Sequence, residues 1–433
     1  MSCRGELSIF AQMRPPFAYV FERFPSFTQT FCVREVEELR RQRVCPLVFS
    51  IHDTTGEDIR HFPPELVDRV ITLPQGDALV DEVKALKSAN LLPQKTVLTL
   101  RNWGENPDKR RVHEAAWIGH RLQQAKVRHV HAHFAGIAAR TCWWLREFHG
   151  VSYSFTGHAN DILCPDPFAV SRAMLVRDAT TVVTVSDFTA AYLRREYGGG
   201  RKVKRVYNGL DLEPISRGIG AVPKAVPPVI LGVGRLTAKK GFGDLIDACR
   251  LLRDRGLEFS CEIIGDGELR GELAARIDAH GLGGTVTLAG PQAMDHIIRR
   301  LHEASVFALA CATEDDGGMD NLPTVIMEAM AASLPCVSTT LAGVPEMVID
   351  GKTGWLVAEK NPAQLADALE RVLAAPEQAA AFGLAGLARA RKLFDQRLTA
   401  RALLRALFSR GKVNFDPRWL RHHPMLPLAK FFR

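Results

Sequence analysis

A glycine-rich segment with two cations is the first part of the sequence that suggests chemistry. Residues 232–241 overlap the end of the apolar run Val229–Val233 and carry Arg235 and Lys240, five residues apart. Glycines after a parallel strand let the backbone approach a ligand at the strand's carboxyl end. Two cations in one loop can converge on a diphosphate. The segment therefore predicts a phosphate-binding loop, and a glycine turn with two solvated charges is the alternative.

A second segment combines two glycines, two spaced acids and the start of a helix. It follows the apolar run Val306–Ala310 and contains Gly317 and Gly318. The run Thr324–Ala332 lacks glycine and proline, which predicts a helix whose first N–H groups suit a phosphate. Pro323 is expected at the first helical position, where its missing N–H costs nothing.

Two carboxylates flank the start of this predicted helix. Asp320 precedes it, and Glu328 lies eight residues further on, in the second turn. A carboxylate can accept two hydrogen bonds from a vicinal diol, so a pair of them beside a phosphate site suits sugar hydroxyls. The alternative is an acidic loop that solvates a helix start.

Three histidines alternate along a third segment. His129, His131 and His133 fall on one face of the predicted strand Val127–His133. Together with His158 they could form a metal site, but a core histidine with satisfied hydrogen bonds is the preferred interpretation of His129. His133 ends the strand, where ligands bind in open α/β sheets, so we expect it to face a substrate. No metal is expected.

Composition narrows the class of protein. The 433 residues are 46% hydrophobic and 24% charged, which is typical of a globular chain of two or three domains. The net charge of +8 is concentrated at one end, because residues 389–433 hold 12 Lys/Arg and two acids. This distribution favours a local anionic partner over nucleic acid. Nine cysteines without C-x-x-C spacing, and no apolar run of about 20 residues, predict a reduced, cytosolic protein.

Short apolar runs alternate with helical patterns along most of the chain. This order predicts α/β architecture, with two doubly wound, Rossmann-like domains that face each other across a cleft. A proline-rich segment without periodicity separates the halves. We therefore predict an N-terminal domain over residues 1–212, a linker over 213–228, a second domain over 229–395, and a helix with a basic tail over 396–433.

With these segments in place, the chain resembles the retaining glycosyltransferases of sequence family 4, which have the GT-B architecture. The phosphate loop and the Asp320…Glu328 pair match that family's phosphate loop and its Glu-x7-Glu motif. Further matching segments lie at 184–186, 207–211, 264–268 and 350–357. Three segments resemble the branch that builds exopolysaccharides such as colanic acid: 24–31, 131–135 and 154–162.

The resemblance implies an acceptor-side first domain, a nucleotide-sugar-binding second domain and a C-terminal crossover helix. Arg235 and Lys240 would bind the diphosphate together with the N–H groups near Leu322 and Thr324, and Glu328 would bind the ribose. Asp320 and His133 would bind the donor sugar, helped by the backbone N–H groups of residues 318–321. The implied catalytic residues are therefore His133, Asp320, Arg235 and Lys240. The implied nucleotide-sugar site comprises Gly234, Arg235, Lys240, Gly265, Gly267, Gly318, Met319, Asp320, Asn321, Leu322, Thr324 and Glu328. The acceptor side would be bordered by His158 and by the loop that contains Thr28 and Thr30.

Two positions depart from the family pattern. Asp320 replaces the usual glutamate and is one methylene shorter, which affects the identity of the donor more than the activity. Gln29 stands where many relatives have glutamate.

The implied reaction transfers a sugar from a nucleotide diphosphate-sugar to a saccharide or lipid-linked acceptor in polysaccharide biosynthesis. Anomeric configuration would be retained, without a cofactor or metal. Two alternatives stay open at this point. One is a sugar-nucleotide epimerase of the same architecture, and the other is an inactive sugar-nucleotide-binding relative.

The basic C-terminal segment has two interpretations. Arg397, Arg401 and Arg405 form one stripe at helical spacing, with Leu403 and Leu407 on the other side. Such a helix suits an anionic membrane surface, which would make residues 396–433 a membrane contact and the protein peripheral at the inner face of the membrane. The alternative is a crossover helix whose apolar side packs on the first domain.

Overall fold

The computed structural model describes residues 17–54, 56, 62–102, 108–165 and 168–408. Two fully parallel sheets organise these residues, one in each half of the chain. Helices cover the sheets, and each sheet has its own buried core. The predicted architecture of two doubly wound, Rossmann-like domains is confirmed.

The first sheet contains seven strands in the order β3-β2-β1-β4-β5-β6-β7. Its order reverses between β1 and β4, which pair directly with each other. A parallel sheet leaves a crevice at the carboxyl ends of the strands where the order reverses. The strands are β1 (Ala18–Arg23), β2 (Leu47–His52), β3 (Val70–Thr72), β4 (His129–His133), β5 (Ser152–Gly157), β6 (Thr181–Thr184) and β7 (Val203–Arg205).

The second sheet contains six strands in the order β10-β9-β8-β11-β12-β13. It reverses between β8 and β11 in the same manner. Every residue of β8 and of β11 is buried, as expected for parallel strands covered on both faces. The strands are β8 (Val229–Val233), β9 (Ser260–Ile264), β10 (Val286–Gly290), β11 (Val306–Leu309), β12 (Cys336–Thr339) and β13 (Gly354–Val357).

Helices connect successive strands and cover both faces of each sheet. Those up to the end of β7 are α1 (Thr30–Arg41), α2 (Pro64–Val67), α3 (Asp77–Ser88), α4 (Gln94–Asn102), α5 (Lys109–Ala125), α6 (Ile137–His149), α7 (Asn160–Leu163), α8 (Arg172–Asp178) and α9 (Asp187–Tyr197). The later ones are α10 (Glu213–Ser216), α11 (Phe242–Asp254), α12 (Arg270–Ala279), α13 (Met294–Glu303), α14 (Thr324–Ala331), α15 (Val344–Met347), α16 (Pro362–Ala374), α17 (Pro376–Leu393) and α18 (Gln396–Phe408).

The apolar runs of the sequence predict strands at 17–21, 47–51, 127–133, 151–156, 180–185, 203–207, 229–233, 259–264, 286–288 and 306–310. Three further short strands, β3, β12 and β13, are therefore absent from this prediction. β12 reads Cys-Val-Ser-Thr and is fully buried, with the Ser338 hydroxyl donating to the carbonyl of Leu309 at 2.7 Å. The serine and threonine of β12 make it look like a polar loop in the sequence. In the structure their hydroxyl groups donate hydrogen bonds to the neighbouring β11 segment rather than to water. Strand propensity depends on such neighbours more than on local sequence.

The predicted linker begins with a short helix, α10, in which Pro214 occupies the first turn. Just before it, Leu210 forms a parallel bridge with Asp395. The chain therefore passes between the domains at two adjacent places, once before α10 and once after α17.

Helix α18 packs on the first domain. Leu403, Leu404 and Leu407 are buried in a cluster with residues of β1 and α1, and the hydroxyl of Thr181 donates to the carbonyl of Ala406. The crossover interpretation therefore agrees with the structure of residues 396–408, because the apolar face of this helix is covered by the first domain. The rest of the basic tail, residues 409–433, lies outside the described residues. Among the described helices, none has the length and apolarity required to cross a bilayer.

The glycine-containing loops after β8 and β9 of the second domain are joined by direct backbone hydrogen bonds. The N–H of Gly234 donates to the carbonyl of Ile264 at 3.0 Å, and that of Leu236 donates to the carbonyl of Asp266 at 2.9 Å. Gly265 has φ of +144°, and a Cβ placed on it would lie 1.9 Å from the carbonyl oxygen of Gly234. Only glycine fits this crossing, because a side chain would strain its own backbone and displace the neighbouring loop.

We expect Gly265→Ala to lower the free energy of unfolding by ~1–3 kcal/mol for the backbone conformation and by a further ~1–3 kcal/mol for the displaced loop. Urea denaturation monitored by circular dichroism measures the change. Gly283→Ala is the matched control, because nothing lies within 4 Å of a Cβ at that position. Equal denaturation midpoints for the two variants would contradict this account.

Candidate functional site

Both sheets place polar residues at the carboxyl ends of the strands where the strand order reverses. In the first sheet His133 ends β4, beside the end of β1. In the second sheet the loops after β8 and β11 carry Lys240 and Asp320. These are the positions at which open α/β sheets bind ligands.

Lys240 and Asp320 form an ion pair between the two loops of the second domain. Lys240 ends a 3₁₀ turn over Ala238–Lys240, and Gly241 follows with φ of +65°. A Cβ on Gly241 would lie 1.7 Å from the carbonyl oxygen of Ala310. The glycine therefore lets the lysine loop lie directly against the end of β11. Arg235, in the same loop, is exposed.

Glu328 is buried one turn and a half into α14. Burial raises the pKa of its carboxyl group, and the nearby cations Arg34 and Lys240 partly oppose that shift. Helix α14 begins at Thr324, and Pro323 is its cap residue rather than the first helical residue as predicted. Two carboxylates, Asp320 and Glu328, thus lie near Lys240, at a helix start that offers unpaired N–H groups.

The two residues before Asp320 have backbone N–H groups that already bond to protein. The N–H of Gly318 donates to Asp316 Oδ1 at 2.8 Å, and that of Met319 donates to Asn160 Oδ1 at 3.4 Å. The resemblance implied that these groups would bind the donor sugar. A ligand could bind the N–H groups of Gly318 and Met319 only if these hydrogen bonds to protein were broken. For the backbone N–H groups of Leu322 and Thr324, no acceptor is found among the described residues.

The side chain of Asn321 joins the two domains. Its amide nitrogen donates to the carbonyl of His158 at 2.6 Å, and its amide oxygen accepts from Ser186 Oγ at 2.6 Å. The amide nitrogen also lies 3.2 Å from Thr189 Oγ1. This residue is 3% exposed. The sequence implied only a backbone role for Asn321, and the structure adds a buried interdomain contact.

Glu346 makes a second interdomain contact. Its carboxylate accepts hydrogen bonds from the N–H groups of Asp187 and Phe188 in the first turn of α9, at 2.8 and 3.0 Å. It also accepts from the hydroxyl of Tyr207 at 3.0 Å. A carboxylate at a helix N-terminus is favoured by the orphan N–H groups and the helix dipole. Sequence reasoning missed this residue, which no local motif marks.

His133 is 2% exposed, and both of its ring nitrogens have partners. Nε2 lies 3.0 Å from Glu35 Oε1, and Nδ1 lies 3.1 Å from His158 Nε2. Nδ1 is also 3.3 Å from Cys32 Sγ. The same oxygen of Glu35 accepts a hydrogen bond from the hydroxyl of Tyr19. Glu35 therefore orients the ring of His133 from α1, a role that the sequence did not reveal.

The other two histidines of β4 are core residues. His129 bridges the hydroxyls of Ser152 and Ser154 at 2.9 and 2.8 Å, and His131 bridges those of Ser154 and Thr156 at 2.7 and 2.9 Å. This arrangement agrees with the preferred interpretation of His129. Within the described part of the chain, no three His, Cys, Asp or Glu side chains are grouped so as to hold a metal ion.

The residues assigned to the acceptor side lie around the end of β1. Thr28 is in the 3₁₀ turn Phe27–Gln29, and Thr30 is the first residue of α1. The predicted loop is therefore largely helical, because its residues continue directly into α1. His158 packs against the ring of Phe31, with ring centroids 4.7 Å apart.

The carboxylate of Asp161 organises the turn after β5. It accepts hydrogen bonds from the N–H groups of Ala135, His158 and Ala159 at 2.8 to 3.2 Å. Burial raises its pKa, and these three hydrogen bonds oppose the shift. Asp161 thereby fixes the position of His158 next to His133.

The remaining glycines of the implied nucleotide site lie where the two loops cross. A Cβ on Gly267 would lie 2.6 Å from the carbonyl oxygen of Leu236, and Gly234 bonds to the end of β9. The structure thus brings the loops that carry Gly234, Arg235, Gly265 and Gly267 together. His133 and His158 lie on the facing domain and reach the loop of Asp320 through Asn321.

Comparison with known families matches both halves of the chain. The family model described as Glycosyltransferase Family 4 matches residues 69–214, and the one described as Glycosyl transferases group 1 matches residues 221–389. Together they cover well over half of the chain. The chain belongs to the family-4 glycosyltransferases of GT-B fold, as the sequence motifs predicted.

Individual relatives are similar over part of their length. The chain is 33% identical over 249 residues to WcaL of Escherichia coli, described as a colanic acid biosynthesis glycosyltransferase; this covers 55% of the chain and 59% of WcaL. It is 38% identical over 181 residues to the amylovoran biosynthesis glycosyltransferase AmsK of Erwinia amylovora, covering 42% of the chain and 44% of AmsK. The chain thus spans about half the length of the curated relatives it matches.

The fold is shared with solved structures of low sequence identity. HepE of Anabaena, solved in complex with UDP, matches with a TM-score of 0.68 at 17% identity, over 91% of this chain and all of that one. At this identity the likeness concerns the fold.

The buried histidines predict how stability depends on pH. Burial lowers the folded-state pKa of His129 to about 3 and also lowers the pKa values of His131 and His158. The unfolded chain binds these protons near pH ~6.5. Stability is therefore fully present above that pH and falls as the pH drops from ~6.5 towards 3, by up to ~1.4 kcal/mol per pH unit for each such histidine.

Urea denaturation between pH 7.5 and 4.5 measures this slope. We expect His129→Gln to reduce it by up to ~1.4 kcal/mol per pH unit, because glutamine does not titrate. His296→Gln is the control, since that ring lies on α13 and contacts Arg299 at the surface. An identical slope in wild type and His129→Gln would contradict the neutral, buried state of His129.

Proposed function

We propose that this protein is a retaining glycosyltransferase that transfers a sugar from a nucleotide diphosphate-sugar to a saccharide or lipid-linked acceptor in exopolysaccharide biosynthesis. The observation that carries the proposal is the ion pair of Lys240 with Asp320 beside the start of α14 and the buried Glu328. A cation and helix N–H groups suit a diphosphate, and two carboxylates suit sugar and ribose hydroxyls.

The relatives support the same assignment. WcaL and AmsK are described as exopolysaccharide glycosyltransferases, and HepE was solved with UDP bound. A nucleoside diphosphate is the product that remains when such a donor has lost its sugar.

In the proposed reaction, negative charge develops on the leaving diphosphate. Preorganised cations and N–H groups aimed at that charge supply the main stabilisation of the transition state. Arg235, Lys240 and the first turn of α14 are proposed for this task, with Asp320 orienting the donor sugar. We propose a front-face reaction in which the leaving phosphate accepts the proton of the acceptor hydroxyl, so that a separate general base is not required. We propose that no metal is needed.

The donor site is tested by thermal denaturation of the purified protein with a panel of nucleotide-sugars and free nucleotides, in the presence of EDTA. A ligand at 100 times its Kd stabilises the folded state by ~2.7 kcal/mol, which gives a visible shift in Tm. We expect a shift with one nucleotide series, and that series names the base. A folded sample that responds to none of the ligands would contradict the donor site.

Kinetics of two variants test the phosphate loop. We expect Arg235→Ala and Lys240→Ala each to lower turnover by ~10²–10³, the usual effect of removing one preorganised contact to developing charge. Lys239→Ala is the matched control, because it removes a charge from the same 3₁₀ turn without removing the ion pair to Asp320. Near-wild-type turnover of either test variant would contradict the assignment.

Two readouts of the same assay address the remaining parts of the proposal. Release of nucleoside diphosphate that depends on an acceptor identifies a transferase and excludes an epimerase. Proton NMR of the first product gives the anomeric configuration, and inversion would contradict the retaining mechanism.

A further inference from the structure

Arg34 is a cation of the cleft to which neither the sequence motifs nor the family resemblance assigns a role. It lies one turn into α1, next to Glu35, which orients His133. Its Nε and Nη2 atoms are buried, and no described residue accepts a hydrogen bond from either atom. A buried donor without an acceptor costs ~1–3 kcal/mol, and more when it is charged. Such a group is expected to have a partner other than the residues that the structure describes.

Arg34 has two electrostatic partners, of which the larger, Glu328, lies on the other domain and the smaller, Cys32, lies on α1 itself. Burial lowers the pKa of Arg34, and the charge of Glu328 partly opposes that shift, although the ion pairs within 4 Å among the described residues include none between these two. Arg34 and Lys240 both lower the pKa of Glu328, so this one carboxylate interacts with a cation of the first domain and a cation of the second. An anionic group placed between Arg34 and Lys240 would be held from both domains.

We propose that Arg34 is the residue of the first domain that binds the diphosphate of the nucleotide-sugar donor, opposite Lys240. This inference rests on the proposed function and deepens it, because the phosphate loop would then be only half of the anion site. A guanidinium donates in a planar fork that matches two phosphate oxygens, and a buried position strengthens the contact.

The position of Arg34 also links donor binding to the arrangement of the domains. Arg235 and Lys240 belong to the second domain, whereas Arg34 belongs to the first, and the two domains are joined at the cleft by Asn321. Charge that develops on the leaving diphosphate would therefore be stabilised from both sides only while this contact holds.

Isothermal titration of Arg34→Gln tests the proposal with three probes: inorganic pyrophosphate, a nucleoside diphosphate and the matching nucleoside. We expect pyrophosphate and the diphosphate to bind at least tenfold more weakly to Arg34→Gln than to wild type, while the nucleoside binds equally. Arg34→Lys should recover part of the affinity, since lysine restores the positive charge but lacks the planar guanidinium that can bind two phosphate oxygens at once. Arg40→Gln is the control, because Arg40 lies on the same helix and bonds at the surface to the carbonyl of Glu65.

Several outcomes would overturn the role of Arg34. An affinity of Arg34→Gln for the diphosphate equal to that of wild type would overturn it. An equal loss of affinity for the nucleoside would also overturn it, because that loss would indicate an effect through Glu328 and the ribose. A loss confined to the KM of the acceptor would place Arg34 on the acceptor instead. A Tm of Arg34→Gln well below that of Arg40→Gln would indicate a structural partner of Glu328, because removal of an orphaned cation should not destabilise the fold.

The same titrations separate this inference from the proposed function. If wild type binds pyrophosphate through Arg34 but no nucleotide, the donor assignment fails and the anion site stands. If wild type binds nucleotides and Arg34→Gln binds them equally well, the function stands and the inference fails. Binding of neither pyrophosphate nor nucleotide by folded wild type overturns both.

Discussion

The geometry of the cleft depends on the buried amide of Asn321. This side chain joins the loop that carries Asp320 to Ser186 and to the backbone of His158 on the facing domain. Its polar atoms are almost fully shielded from water, and an unpaired buried amide costs ~1–3 kcal/mol. The loop is therefore held in place by partners from the other half of the chain. Glu346 of the second domain accepts hydrogen bonds from the first turn of α9 and so forms a second contact between the two domains.

The charges in the cleft are distributed over both domains. Lys240 pairs with Asp320 within the second domain, and Glu328 interacts with both Lys240 and Arg34. Burial raises the pKa of Glu328, and the nearby cations Arg34 and Lys240 partly oppose that shift. A cluster of this kind suits a ligand that carries both negative charge and hydroxyl groups, as the proposed nucleotide diphosphate-sugar donor does.

Much of the fold was predictable from sequence because parallel strands buried on both faces appear as continuous apolar runs. Val229–Val233 is predicted and observed with the same bounds. β12 and β13 were missed, because their serine, threonine and glycine residues become strand residues only through pairing with neighbours. In the site, the sequence indicated Arg235, Lys240, Asp320 and Glu328, whose glycine and helix-start context is local.

The sequence by itself determined the local units: the strands, the glycine loops that follow them, the helix beginning near Thr324 and the family to which the chain belongs. The tertiary structure alone decided which side chains meet. Glu35 and His133 are 98 residues apart, and Ser186 and Asn321 are 135 apart. Backbone propensity and hydrophobic periodicity act over a few residues, whereas these contacts arise because the strand order of each sheet and the docking of two domains bring distant loops to one cleft.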